Sequence, residues 1–220
     1  MLIPDWVDAP GAVLERKATI TVQDVDSKRH EVRGRVVPYE ERVELVPGVW
    51  EEFAYGAFTR QATTPDSWSR VRLMYAHHQG MIPLGRATNL TETRSGLDAI
   101  FGVSQRVITE VDKGKEAWVG LEEGLLTEFS IGFRSVSKGG TEKVPVGRHG
   151  EVLLRRTRAH LSEVSLVPYG VYGEAASVAG YRGAGHLTIQ EIREIEGIEP
   201  PDPWAEERSR LAAYRGNVPQ

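Results

Sequence analysis

Apolar and polar residues alternate with a period of two along much of this chain, the spacing that sends successive side chains to opposite faces of a strand. VLERKATITVQ and HEVRGRVVPY, within residues 12–37, show it and are rich in β-branched residues, with DVDSK between them as a turn. They predict a hairpin of half-buried strands. VELVPGVWEEF predicts another strand-and-turn segment, turning at Pro47-Gly48. Residues 54–70 are mixed: Phe58 and Ala62 have helical spacing, and Asp66 can cap a further short turn. VRLMYAHH is an apolar run of buried-strand length, ended by Gly80 and Pro83. ATNLTETRSGLDAIFGVS reads as two strands around Arg94-Ser95-Gly96.

The period changes between Thr109 and Glu123. Asp112 is a candidate N-cap, Ala117, Trp118 and Leu121 share a helical face, and Gly124 stands where a C-terminal cap belongs. EFSIGFRSV then predicts a strand, KGGTEKVPVGRHGE a polar glycine-containing loop, and EVLLRRTRAHLSEVSLVPY one long strand or two shorter ones. From Gly180 the character shifts again. Gly180, Gly183 and Gly185 make a linker. Thr188-Ile189-Gln190-Glu191 is a capping box ahead of IREIE. Gly197, Pro200 and Pro201 stop that helix, and Asp202-Pro203 starts another that Gly216 ends. The expectation is a mainly β domain with flanking helices (α+β) over residues 1–179, and a Gly-rich linker with a helical tail over 180–220.

Composition narrows the chemistry. The 220 residues are 40% hydrophobic and 26% charged, with a net charge of −4, ordinary for a globular protein with a real core. Nothing global suggests a nucleic-acid surface. There is no cysteine, which excludes disulfides, Cys-zinc sites and a thiolate nucleophile. The start MLIPDWVDAPGAVLERK has no basic stretch followed by an apolar one, so no signal peptide is expected. No run approaches the roughly 18–20 apolar residues of a membrane span.

Six histidines and many serines leave the chemistry open on composition alone, so context has to choose. His77 ends an apolar run, where a strand end could orient a general base; His78 would face the other way on a strand. Ser130, in TEFSIGF, follows the helix and Gly124, with Gly132 close by. A rigid support and nearby backbone N–H groups are what a nucleophile needs. Glu163, in HLSEVSLV, shares one strand face with Leu161, Ser165 and Val167 if the run is regular. A carboxylate among apolar neighbours needs a partner, either a histidine, as in a triad, or an arginine of RRTR. Ser165 is the competing nucleophile and His160 the competing third member. For each of these residues a structural role is the ordinary alternative. His77, His78, His149 and His160 could also be offered as metal ligands, but no HExxH or comparable spacing exists.

Several segments, in order, resemble the caudovirus prohead serine protease family: EEFAYGAF; VRLMYAHHQGMIPLGR; GLLTEFSIGF; and LSEVSLVPYGVYGEA. Together they span about residues 30–178. By that resemblance His77 matches the catalytic histidine, Ser130 the nucleophile and Glu163 the acidic position. The family often has Asp directly after the histidine, where this chain has His78, and counting back from Gly85 selects His78 as the alternative base. The resemblance implies a small closed or partly closed β-barrel of the herpesvirus-protease type. It implies a serine endopeptidase that cleaves the scaffolding region of the major capsid protein, and itself, without cofactor or metal. It implies self-association inside the phage procapsid in the host cytoplasm, with no nucleic acid or membrane partner. Backbone N–H groups of a 130–134 turn, helped by an arginine among 155–158, would hold the oxyanion. A catalytically silent assembly module with the same barrel is the competing class; labelling by a fluorophosphonate separates the two.

Overall fold

The structure, a computed structural model, describes residues 14–136, 139–147, 151–168 and 197–198, with side chains from Val25 onward. The expected helices of the 180–220 tail lie outside the described residues. Among the described residues, eleven strands form two sheets, accompanied by four helices.

The first hairpin is β1 (Leu14–Asp26) and β2 (Glu31–Pro38). The Pro47-Gly48 turn joins β3 (Val43–Val46) to β4 (Val49–Phe53). The mixed region folds as α1 (Thr59–Ala62) and α2 (Pro65–Trp68). Asp66 lies inside the first turn of α2, and Thr64 is its N-cap. There follow β5 (Arg72–Tyr75), β6 (Gly85–Thr93) and β7 (Gly96–Val103).

The predicted single helix is two: α3 (Gln105–Glu110) and α4 (Asp112–Glu122). Val111, in extended conformation, is the N-cap of α4, so Asp112 is a first-turn residue and not the cap. The break lets α4 fold back onto α3. At Gly114 the two backbones approach so closely that a Cβ would lie 2.1 Å from the Val107 carbonyl oxygen. Gly124, at φ +69°, ends α4 as expected.

The remaining strands are β8 (Glu128–Ser135), β9 (Thr141–Val146), β10 (Glu151–Arg156) and β11 (Ala159–Val167). The segment read as a polar loop contains β9, an edge strand whose residues face solvent and carry no alternation. Its pairing with β10 holds it in place. The long run after it is two strands in different sheets.

Seven strands close a barrel in the order β1-β2-β7-β6-β5-β11-β8, with β1 pairing back to β8. The other four form a sheet in the order β3-β4-β10-β9. Alternate residues fill the barrel: Val32, Leu73, Leu97, Phe101, Phe129, Ile131, Phe133, Leu161, Val164 and Leu166 are all buried. Phe53 at the end of β4 meets Phe133 edge-on at 4.9 Å and ties the second sheet to this core. Among the described residues, no helix is long and apolar enough to cross a membrane.

Candidate active site

The core face of β8 is Phe129, Ile131 and Phe133, so Ser130 and Gly132 face outward. Ser130 lies in the middle of a strand, paired on both sides, with Lys17 on β1 and Ser165 on β11. The expected 130–134 turn is therefore a regular strand, whose N–H groups serve the ladder. Of the arginines among 155–158 expected near the oxyanion, Arg155 and Arg156 lie on β10 in the other sheet, and Arg158 lies between β10 and β11. Arg155 pairs with Glu40 and Glu52, and Arg156 with Glu51.

Glu163 reaches the outer face through a β-bulge. The β11–β8 register slips between Leu161 and Glu163, leaving Ser162 as the extra residue. Leu161 points into the core, but so do Val164 and Leu166, an odd step away. The regular-strand expectation that Leu161 and Glu163 share a face is thus overturned. Beyond the bulge, Glu163 and Ser165 face the same way as Ser130.

The bulge has its own support. The buried carboxamide of Gln61, on α1, donates to the Leu161 carbonyl at 2.8 Å and accepts from the Leu161 N–H at 2.8 Å. Both backbone groups are satisfied where the ladder is interrupted. Gln61→Ala would strand both and is expected to destabilise the fold by about 2–4 kcal/mol. Urea unfolding checks this; a loss under about 0.5 kcal/mol would show that Gln61 does not secure the bulge.

His77 does not extend β5. Ala76 and His77 both adopt left-handed backbone, at φ +49° and +55°, a costly conformation for residues with a Cβ. Three successive amides hold it. Ala76 N–H donates to Leu166 O at 3.0 Å, His77 N–H to Ser165 Oγ at 3.1 Å, and His78 N–H to Tyr75 O at 3.1 Å. Continued as a strand, the chain would carry His77 on past Leu166. The left-handed pair turns it back over β11, between Glu163 and Ser130.

The ring closes the arrangement. His77 Nδ1 lies 2.5 Å from Glu163 Oε1, and Nε2 lies 2.5 Å from Ser130 Oγ. A carboxylate only accepts, so Nδ1 carries the proton, and Nε2 of the neutral ring accepts from the serine hydroxyl. The His77 and Glu163 side chains are each 11% exposed, which strengthens their attraction. Such a chain of groups can take a proton from the hydroxyl and stabilise the imidazolium that results.

The alternatives fall elsewhere. Ser165 is as fully buried as Ser130, but its hydroxyl oxygen accepts from the His77 N–H whereas that of Ser130 meets the ring. Exposed His78 lies by the Glu116 carboxylate of α4, whose pKa it helps to lower behind Lys113 and Tyr75. Glu163 pairs with His77 and not with RRTR. His160 stands opposite Arg134 across β11 and β8, on the far side of the bulge. Burial, aided by the guanidinium groups of Arg134, Arg70 and Arg60, pushes its imidazole down to about 4. Among the described residues no three His, Asp or Glu side chains gather to hold a metal ion; His149 lies outside them. Two contributors escaped sequence reading. Gln61 and the Ala76-His77 turn carry no local signal, since polar residues in short helices and left-handed non-glycine residues are recognisable only in place.

Comparison with known proteins shows the family and a likeness of fold. A family model described as caudovirus prohead serine protease matches residues 18–186. No curated protein sequence matches the chain. Among solved structures, the capsid assembly protease of bacteriophage T4 superposes with a TM-score of 0.51 at 7% identity, covering 72% of this chain and 98% of that one. At that identity the likeness is one of fold.

Proposed function

This chain belongs to the caudovirus prohead serine protease family, and on that premise we propose that it is a serine endopeptidase of capsid maturation with Ser130 as nucleophile, His77 as general base and Glu163 as the orienting acid. The observation that carries the assignment is the His77 ring, whose two nitrogens meet Ser130 and Glu163 at 2.5 Å each. In acylation the Ser130 Oγ–C bond forms as the hydroxyl proton passes to His77 Nε2. The C–N bond then breaks, and that proton leaves with the amine. Water, deprotonated by the same nitrogen, hydrolyses the ester and restores the serine. Glu163 keeps the Nδ1 proton in place and balances the charge on the ring.

The substrate is the scaffolding region of the major capsid protein, and the protease itself, within the procapsid in the host. Residues 1–179 are the protease domain in this reading, of herpesvirus-protease type, and 180–220 an appendage to it. Co-expression of capsid protein with the Ser130→Ala chain tests this. The capsid protein is expected to stay at full length, with fluorophosphonate labelling lost. Processing at the normal rate would overturn Ser130 as the nucleophile.

A further inference from the structure

The outer face of β8 continues past the candidate site. Ser130, Gly132 and Arg134 alternate along it; Ser130 and Gly132 are buried there, and Arg134 is the one of the three that reaches solvent. Arg134 is exposed, opposite His160. Gln61 anchors α1 to Leu161, the residue after His160, which brings Arg60 beside the same spot. Arg70 joins them from the segment between α2 and β5, and all three guanidinium groups bear on the His160 ring.

These arginines differ from others in the fold. Arg35, Arg42, Arg106, Arg155 and Arg156 each hold a carboxylate. Among the described residues, no ion pair joins Arg60, Arg70 or Arg134 to a carboxylate, although all three act on the one His160 imidazole. With His160 held neutral above its lowered pKa, the ring adds no charge of its own to the patch. Concentrated, unmatched charge costs stability and raises the local concentration of an anion. Guanidinium forks suit carboxylates in particular.

We propose that Arg60, Arg70 and Arg134 form a subsite for an acidic residue of the polypeptide substrate, about four residues from the bond cleaved, because the four residues from Ser130 to Arg134 span about 14 Å and an extended peptide advances at the same pitch. The proposal rests on the endopeptidase reading above. Its occupant is a carboxylate-bearing peptide because the patch lies on the same face of β8 as the groups proposed to cleave a peptide bond.

The test measures binding without turnover. The full-length Ser130→Ala chain is titrated into two short fluorescein-labelled peptides that differ only in Glu against Gln at three adjacent positions. The Glu peptide is expected to bind about ten-fold more tightly, as one or two charge-assisted hydrogen bonds would give. That preference should vanish in Arg60→Gln/Arg134→Gln, persist in part in Arg134→Lys, and survive Arg94→Gln, which removes an exposed arginine elsewhere. Far-ultraviolet circular dichroism of each variant confirms that it folds. Equal binding of the two peptides overturns the subsite, as does a preference that persists in the double variant or disappears equally with Arg94→Gln. Equal competition by single-stranded DNA of matched charge would overturn its assignment to acidic peptide. Failure of the endopeptidase reading shows separately, as wild-type chain that takes up no fluorophosphonate at Ser130.

Discussion

Replacing His77 by alanine is expected to slow peptide cleavage by about 10⁴- to 10⁶-fold, and adding Ser130→Ala should slow it little further. The reason is that the two groups act as one. Without the imidazole the Ser130 hydroxyl keeps its proton, and without the hydroxyl the imidazole has nothing to activate. Each single replacement therefore removes nearly the whole benefit. The sum of two independent effects would be far larger than either alone, so the double variant decides between a shared and a separate role. Single-turnover cleavage of capsid protein measures all three variants. His78→Ala provides the internal comparison. His78 faces Glu116 on α4, so its loss should cost less than about ten-fold, since it supplies no proton transfer. A larger loss from His78→Ala than from His77→Ala would reverse the assignment.

The second large effect concerns stability. Arg156 is fully buried, and its guanidinium meets Glu51 Oε1 through Nε at 2.9 Å and Nη2 at 2.8 Å. A third nitrogen, Nη1, donates to Thr141 Oγ1 at 2.9 Å, and the group lies 5.6 Å from the centre of the Phe133 ring. Glu51→Ala would leave a cation inside the fold with its main counter-charge gone. The expected cost is about 3–5 kcal/mol, or a fall of roughly 10 °C in the midpoint of thermal unfolding for a domain of this size. Glu51→Leu combined with Arg156→Met should recover most of that loss, because neither charge then pays for burial. Urea unfolding of the three forms measures it. A single-variant loss below about 1 kcal/mol would mean that water or another group replaces Glu51. Arg156 ends β10, with two residues between it and the start of β11, so the pair also fixes the point from which the chain runs into the strand bearing Glu163.

Much of this architecture is visible in local patterns. The hairpins at 12–37 and 43–53, the paired strands on either side of Arg94-Ser95-Gly96, the helix end at Gly124 and the strand through Ser130 all follow from alternation and turn residues. Both depend on short-range geometry. The alternation of Phe129, Ile131 and Phe133 alone sends Ser130 and Gly132 to the other side. The split between α3 and α4 was hidden because Val111 continues the apolar spacing while its backbone is extended. The strand β9 was hidden because an exposed edge strand has no buried face to imprint a pattern.

Ser130, His77 and Glu163 were nameable as candidates from their order in the chain, since a family resemblance needs only residues and spacing. Their meeting was not. Glu163 shares a face with Ser130 only because Ser162 bulges out of the ladder, and a one-residue slip reverses every side chain beyond it. His77 reaches both only because Ala76 and His77 accept left-handed backbone, held by Leu166 and Ser165 on a neighbouring strand. Sequence by itself determined the strand-rich class, the absence of thiol chemistry and the side of β8 on which Ser130 stands, because each depends on residue type or on a period of two. Only the tertiary structure brings the His77 ring to Ser130 and Glu163 and the Ser165 hydroxyl to the His77 amide, because these contacts join residues 53 to 88 positions apart in the chain.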